Sequence, residues 1–433
     1  MCSRMIRVLA VSVTASALPA LAVAQGVPRT TETFWTVEAG AEYTDNVGRA
    51  SEDEQSETVG TGTIAFGLAT VRRRLDADIT GRLEYREYFD SAFDSEIVGG
   101  VRGAVLFTLI PERFTWVVTD NFGQISNDRR LVDNPDNRRD INYFSTGPDV
   151  TLPLGQRTFV QVSGRYSDTY YEGESTDSTM LTGSLALIRQ LSTFTSISLN
   201  GSSSDVDYDD ELIQDYRIDQ AFLRWSTVNE RSSFVLDGGY NQVDDGTNSS
   251  GGVLARLELS QSVAARSRIG LNVGTEFVTT GLGFRRVQEI TGVDPGTGDA
   301  IATRDAYQMD YAYLTWTTDR VRSSFSVTLS ARSESHEVET LDDRDLYGAA
   351  LRLSRHLTPR LDGSLTASYT KEELVNENFS FDEWHVGVGL SWLVGPSLSV
   401  RLRLEHFEGS SDGGVREFDE NRAYLGLAYT RRR

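Results

Sequence analysis

Along Leu75-Asp-Ala-Asp-Ile-Thr-Gly-Arg-Leu-Glu-Tyr-Arg86 the side chains change character at every step. Leu75, Ala77, Ile79, Gly81, Leu83 and Tyr85 share one parity; Asp76, Asp78, Thr80, Arg82, Glu84 and Arg86 share the other. In an extended chain successive side chains point to opposite faces, so this run forms a ribbon with one apolar and one charged side. Wound as a helix, the same residues would scatter around the axis. Strands of soluble sheets span about five or six residues, whereas a tilted strand crossing a bilayer needs about nine to eleven. This run has the bilayer length.

The alternation recurs along the chain. Trp35, Val37, Ala39, Ala41 and Tyr43 face away from Thr36, Glu38, Gly40 and Glu42. Val253 to Leu259 repeats the pattern, as do Trp384 to Trp392 and Leu398 to Leu404; Ile269, Leu271, Val273, Thr275 and Phe277 form another apolar parity. About twenty such runs follow one another, eighteen if the softest boundaries merge, starting near residues 34, 58, 75, 97, 114, 141, 158, 179, 194, 215, 233, 252, 268, 305, 323, 345, 361, 381, 397 and 421. A propeller would place four short strands in each repeat with a blade signature, and neither is present. The pattern predicts an all-β chain: one transmembrane antiparallel β-barrel, apolar outside and polar within.

The links between runs alternate in length and in charge. Short ones such as Thr70–Arg74, Ile110–Arg113, Pro153–Arg157 and Ser354–Arg360 alternate with long ones at 45–57, 125–140, 203–215 and 283–305. Long extracellular loops and short periplasmic turns are the habit of outer-membrane barrels. The long links hold 44 of the 63 acidic residues, while the short ones with the last four residues hold 16 Arg. That sorting by sign predicts an acidic outer rim able to meet lipopolysaccharide through divalent cations, and a basic periplasmic face suited to an acidic export partner. Pro111, Pro153, Pro359 and Pro396 fall in turns, Pro135 and Pro295 in loops; Pro148 alone interrupts a run, where it predicts a bulge.

Composition removes other classes. The 433 residues carry a net charge of −21, so nucleic acid is not an expected partner. The single Cys is Cys2, which excludes a disulfide framework and a cysteine metal site. Met1–Ala24 has Arg4 and Arg7, an apolar run from Val8 to Leu21 and an Ala-Val-Ala exit, the parts of a secretory signal peptide. Residues 25–433 are the expected barrel domain, in the outer membrane of a bacterium.

Chemistry is sparse. The His residues are His336, His356, His385 and His406, without a placed nucleophile or a His-x-x-x-His pair, so no catalytic residue, metal or cofactor is expected. With the 394–397 turn closing a hairpin, facing positions sum to about 790, which sets Trp384 opposite His406 on the lipid side and His385 opposite Glu405 in the lumen. The acidic run Asp205–Glu211 lacks the glycine and closing Glu of a calcium loop and reads as solvated. Aromatics near run ends (Tyr85, Tyr88, Trp116, Tyr166, Tyr170, Trp225, Tyr311, Tyr313, Trp316, Tyr369, Trp384, Trp392) predict interfacial girdles, or sugar-stacking platforms where they face inward. Inward parity collects Arg82, Glu84, Arg86, Arg102, Arg165, Arg256, Glu258, Glu276, Arg332, Arg352, His385, Arg401, Arg403 and Glu405, together with Asp76, Asp78, Asp237, Asp310 and Asp362. About twenty strands enclose more than side chains can fill, so these residues line a hydrated passage for a polar solute. A long loop folding inward would narrow that passage, as in an uptake porin; 125–140 and 283–305 are the candidates.

Tyr43-Thr-Asp-Asn46, Thr119-Asp-Asn-Phe122, Asn142-Tyr-Phe-Ser-Thr-Gly-Pro-Asp149 leading into Leu152-Pro-Leu-Gly155, and the closing Asn421–Tyr429 resemble outer-membrane β-barrel proteins of exopolysaccharide-biosynthesis operons, including those accompanying PEP-CTERM sorting systems. The resemblance implies a channel or export component for exopolysaccharide. It names no catalytic residue. At the C-terminus Tyr429 fits the aromatic ending of such barrels, while Arg431 departs from it. The alternatives are a general or solute-specific uptake porin and, from a different class, a barrel enzyme.

Overall fold

The computed structural model describes residues 30–432, apart from 91, 174–175, 211, 292–296, 299–304, 338–339, 378 and 413–415. The expected leader Met1–Ala24 and Pro295 lie outside the described residues.

Twenty long strands of 12 to 16 residues succeed one another, each antiparallel to its neighbours. The first, Thr30–Thr44, pairs along one edge with Glu57–Arg72 and along the other with the last, Phe418–Arg432. The sheet is a closed cylinder. Closure is what a wall in hydrocarbon requires, since an open edge would leave N–H and C=O groups with neither water nor partner. Every strand start lies within four residues of its expected position, because alternation and turn chemistry were both written locally.

The outside is apolar. Leu199 is 60 % exposed and Val253 66 %, while Glu38 and Glu42 on the opposite face are each 4 % exposed. A water-soluble domain has the reverse order. Thr30 and Arg432, the first and last described residues, lie with all the short links at one mouth, and the long loops lie at the other.

The details depart from expectation in several places. Across the 394–397 turn facing positions sum to 792: Trp384 stands opposite Glu408, His385 opposite Phe407, and Glu405 opposite Gly387. The link runs from Val394 to Leu398, with Leu393 opposite Ser399 as the last pair, so each facing partner lies two residues further along than expected. In the strand Tyr307–Asp319 the parity is reversed: Tyr311 and Tyr313 are buried inside, and Asp310 is exposed outside. Tyr88 is also an inward residue, 6 % exposed; these three tyrosines form no girdle. Phe277 turns inward to join Met180, Ile218 and Val243, because the ladder between Ser249–Ala264 and Ser267–Val278 ends below it, at Ala255 and Thr275.

Pro148 marks no bulge. Pairing with Phe114–Ser126 runs through it without a shift, and along the other edge only positions 147 and 148 drop out before the same register resumes. Arg165 Nη1 occupies the gap, donating to the carbonyls of Pro148 at 3.0 Å and Gly164 at 2.8 Å.

A second discontinuity lies between Glu96–Ile110 and Phe114–Ser126, where the ladder stops at Val101 and Phe122. Above it one side chain replaces backbone rungs. The Gly99 N–H donates to Gln124 Oε1 at 2.8 Å, and Gln124 Nε2 donates to the Ile97 carbonyl at 3.1 Å. Gly99 has a φ of 122°, a conformation open to glycine. The backbone of Thr297–Gly298 pairs in parallel with Gln124–Ile125.

Candidate functional site

The loop expected at 283–305 enters the barrel as an α-helix, Thr280–Thr291, between the thirteenth and fourteenth long strands. Its far contacts lie six to nine strands away. Phe284 is buried with Ile125, Ile141 and Tyr171. Asn121 Nδ2 donates to Gln288 Oε1 at 2.8 Å, and Arg102 Nη1 donates to the Gln288 carbonyl at 3.3 Å. Gly281 sits so close to Tyr143 and Thr169 that a Cβ there would collide with both. The helix is tied to its own side by charge. Arg224, Asp237, Arg256, Glu276 and Arg286 alternate in sign across four strands, with successive contacts of 2.6, 2.9, 2.9 and 2.8 Å. Glu258 adds a looser contact to Arg286 at 3.9 Å.

A second strut crosses from another quarter. Residues 127–137, between the fifth and sixth strands, reach the loop between the fifteenth and sixteenth, on the opposite side of the cylinder. Arg129 donates to the Asp342 carbonyl at 2.9 Å and pairs with its carboxylate. Arg130 pairs with Glu377, and Val132 packs with Phe381 and Phe418. Arg416 Nη1 donates to the Arg129 carbonyl at 2.7 Å. Burial works to raise the Asp133 carboxyl, but Arg138 and Arg49 outweigh it and hold the group at about 2. Arg49 in turn lies 3.0 Å from Glu420 and 3.6 Å from Glu383. The extracellular half of the lumen is thus bridged twice.

Apart from Asp310, the residues expected in the lumen sit on inward-facing positions, and most are tied in pairs. Arg82 lies 2.9 Å from Glu84, and Arg86 2.6 Å from Glu42. Arg165 meets Asp149 at 2.7 Å, and Arg332 meets Glu334 at 2.8 Å. Arg401 reaches Glu38 at 2.5 Å from the neighbouring side of the closing seam. His385 and Glu405 do approach, at 3.4 Å, but diagonally, with the imidazole stacked on Phe407. Arg403 covers the Tyr424 ring at 4.4 Å. Arg352 is exposed to the bore, and among the described residues it has no carboxylate partner.

The sequence reading did not single out Phe284, Arg286 and Gln288 or Arg49, Arg129 and Arg416, which build the struts. The available signal was arginine within two acidic, unusually long links. Of the resembling motifs, Asn121 holds the helix, while Asp120 on the outer parity accepts a hydrogen bond from Asn142 at 3.2 Å. Asn46 donates to the carbonyls of Ala50 and Asp419, fixing the first loop to the last strand.

The sequence matches no protein-family model and no curated protein. Among solved structures it is similar in outline to a mutant of the ferric enterobactin receptor PfeA from Pseudomonas aeruginosa, at 9% identity and a TM-score of 0.46, over 93% of this chain and 80% of that one. The siderophore receptor PirA from Acinetobacter baumannii gives 8% identity and a TM-score of 0.46, over 93% and 81%. A loop-deletion form of OmpT, an outer membrane protein of Vibrio cholerae, gives 10% and 0.34, over 93% and 99%. The closed antiparallel cylinder with its apolar exterior is by itself the architecture of a bacterial outer-membrane protein. The chain is a twenty-stranded outer-membrane β-barrel.

Proposed function

We propose that the protein is a diffusion channel for small polar solutes, an uptake porin with an internal constriction. The observation that carries this reading is the pair of struts, Thr280–Thr291 and 127–137, crossing the extracellular half of the lumen. A polymer needs a continuous wide bore, whereas a small solute passes between ordered struts and gains discrimination from them. The inward charged residues Arg82, Glu84, Arg86, Arg256 and Glu276 hold wall and helix in place, and Arg352 faces the passage without an ion pair among the described residues. This reading favours uptake over the exopolysaccharide export implied by the family resemblance.

A clean chromosomal deletion tests it: uptake of small sugars and organic acids falls while secreted polymer is unchanged. Loss of secreted polymer with unchanged uptake would return the export reading to first place.

A further inference from the structure

We infer that the channel is selective for small anions, which pass down one wall of the lumen beside Arg352 and Arg403. The inference rests on the diffusion-channel reading above and goes beyond it by naming the sign of the solute.

The net charge of the chain is −21, which by itself suggests the opposite preference. The fold spends its carboxylates elsewhere. In the extracellular half of the lumen, Glu276 is held by Arg256 and Arg286, Glu372 by Arg344 and Arg416, and Glu420 by Arg49 and Arg422. Each such acid is matched or outnumbered, so none presents a bare negative charge to the bore. Of the inward acids without an arginine ion pair among the described residues, Asp76 and Asp78 lie near the periplasmic end seven strands from Arg352, while Asp362 and Glu405, on the Arg352 wall itself, are held by His356 and His385.

The wall made by Arg344–Thr358, Leu361–Leu374, Phe379–Leu393 and Leu398–Ser411 is different. The contacts of the helix fall on other strands, and the 127–137 strut touches this wall only at its extracellular rim. Below the rim the inward positions are mostly small. Arg352 stands between Ser326 and Thr366 on its two neighbouring strands. Arg403 faces Gly389 on one side and the Tyr424 ring on the other. Arg352 projects into open space among these hydroxyls, while Arg403 lies against the Tyr424 ring, two residues from the inward Glu405.

An unpaired guanidinium in a low-dielectric wall attracts anions and repels cations along the whole path it overlooks. At a separation of about 4 Å in water-like surroundings, one such charge changes the local concentration of a monovalent ion about fivefold. The neighbouring hydroxyls add donors for an oxyanion. Small carboxylates and inorganic phosphate share this chemistry.

The test is the reversal potential of the purified full barrel in a planar bilayer under a KCl gradient at low ionic strength. The chloride-to-potassium permeability ratio is expected above one, and replacing chloride with inorganic phosphate keeps the anion preference. Arg352→Gln with Arg403→Gln is expected to lower the ratio about fivefold or more, and added salt shrinks the difference. Arg217→Gln, which alters an exposed pair with Asp205 on the outer face, leaves the ratio unchanged. A cation-selective wild type, or a double variant that conducts with an unchanged ratio, overturns the inference while leaving the channel reading intact. A correctly folded barrel that conducts no ion defeats the channel reading itself, and this inference falls with it.

Discussion

Glu276 is the residue on which the docking of the internal helix turns. It is 3 % exposed, lies 2.9 Å from Arg256 and 2.8 Å from Arg286, and accepts a longer hydrogen bond from Tyr311. Glu276→Gln keeps the shape and removes the charge, leaving two guanidinium groups facing each other. Breaking a buried ion pair from one side costs about 3–5 kcal/mol. Arg256 retains Asp237, and Arg286 retains Glu258 at 3.9 Å, so the lower end, about 3 kcal/mol, is expected. If the helix undocks as a unit, its open population rises about a hundredfold. The absence of cysteine beyond Cys2 supplies a clean assay. Phe284→Cys, at a side chain 3 % exposed, is labelled with a small maleimide with and without Glu276→Gln, and single-channel records accompany it. Faster labelling by about two orders of magnitude, with larger or noisier conductance, is expected. Unchanged labelling in a barrel that still resists cold SDS would refute the assignment of the charge ladder as the anchor.

The mouth strut gives a pH dependence. Because Asp133 is held at about 2, against an ordinary value near 3.9, its contribution is complete above about pH 4 and disappears as pH falls toward 2; conductance across that range should show the 127–137 strut loosening only at the acid end, and loosening near neutrality would contradict it. Leu329→Arg, on the outer face halfway along its strand and 46 % exposed, should destabilise the barrel in lipid by about 2–4 kcal/mol, whereas Thr328→Arg on the inner parity should cost less; urea unfolding in vesicles compares the two. Gly147→Ala should impair folding, since a Cβ would meet the Gly164 carbonyl directly and backbone cannot yield as a side chain can; a wild-type yield of heat-modifiable barrel in refolding trials would count against that.

The strand count, the sidedness and the closure of the cylinder were legible because each is encoded locally, by alternation, turn residues and the sorting of charge. Parity failed where the physics behind it changes. The rule equates the apolar face with lipid, but the internal helix makes a dry surface inside the barrel, and there Tyr307, Met309, Tyr311 and Tyr313 are inward apolar residues. Along 307–311 the apolar face is then the inner one, with Gln308 and Asp310 facing out, and alternation gives the wrong sidedness. Phe277 was misplaced because its ladder ends below it and its ring turns in against Met180, Ile218 and Val243. The helix itself carries Gly281, Gly283, Arg285 and Arg286, an unpromising composition in isolation; its stability comes from Asn121 and Arg102, on strands far away in sequence, and from Glu276 on the strand just before it. The His385–Glu405 approach survived a register error of two residues because a diagonal neighbour on a ladder is still within reach of a long side chain.

The amide of Gln124 has a mechanical meaning. A hoop yields first at its splice, and here a run of main-chain fastenings between two staves is replaced by a single carboxamide. Thinning of the surrounding bilayer, heat or lateral tension will part the cylinder at Gly99 before anywhere else on that flank, and the damage will start beside the foot of the internal helix, where Asn121 grips Gln288.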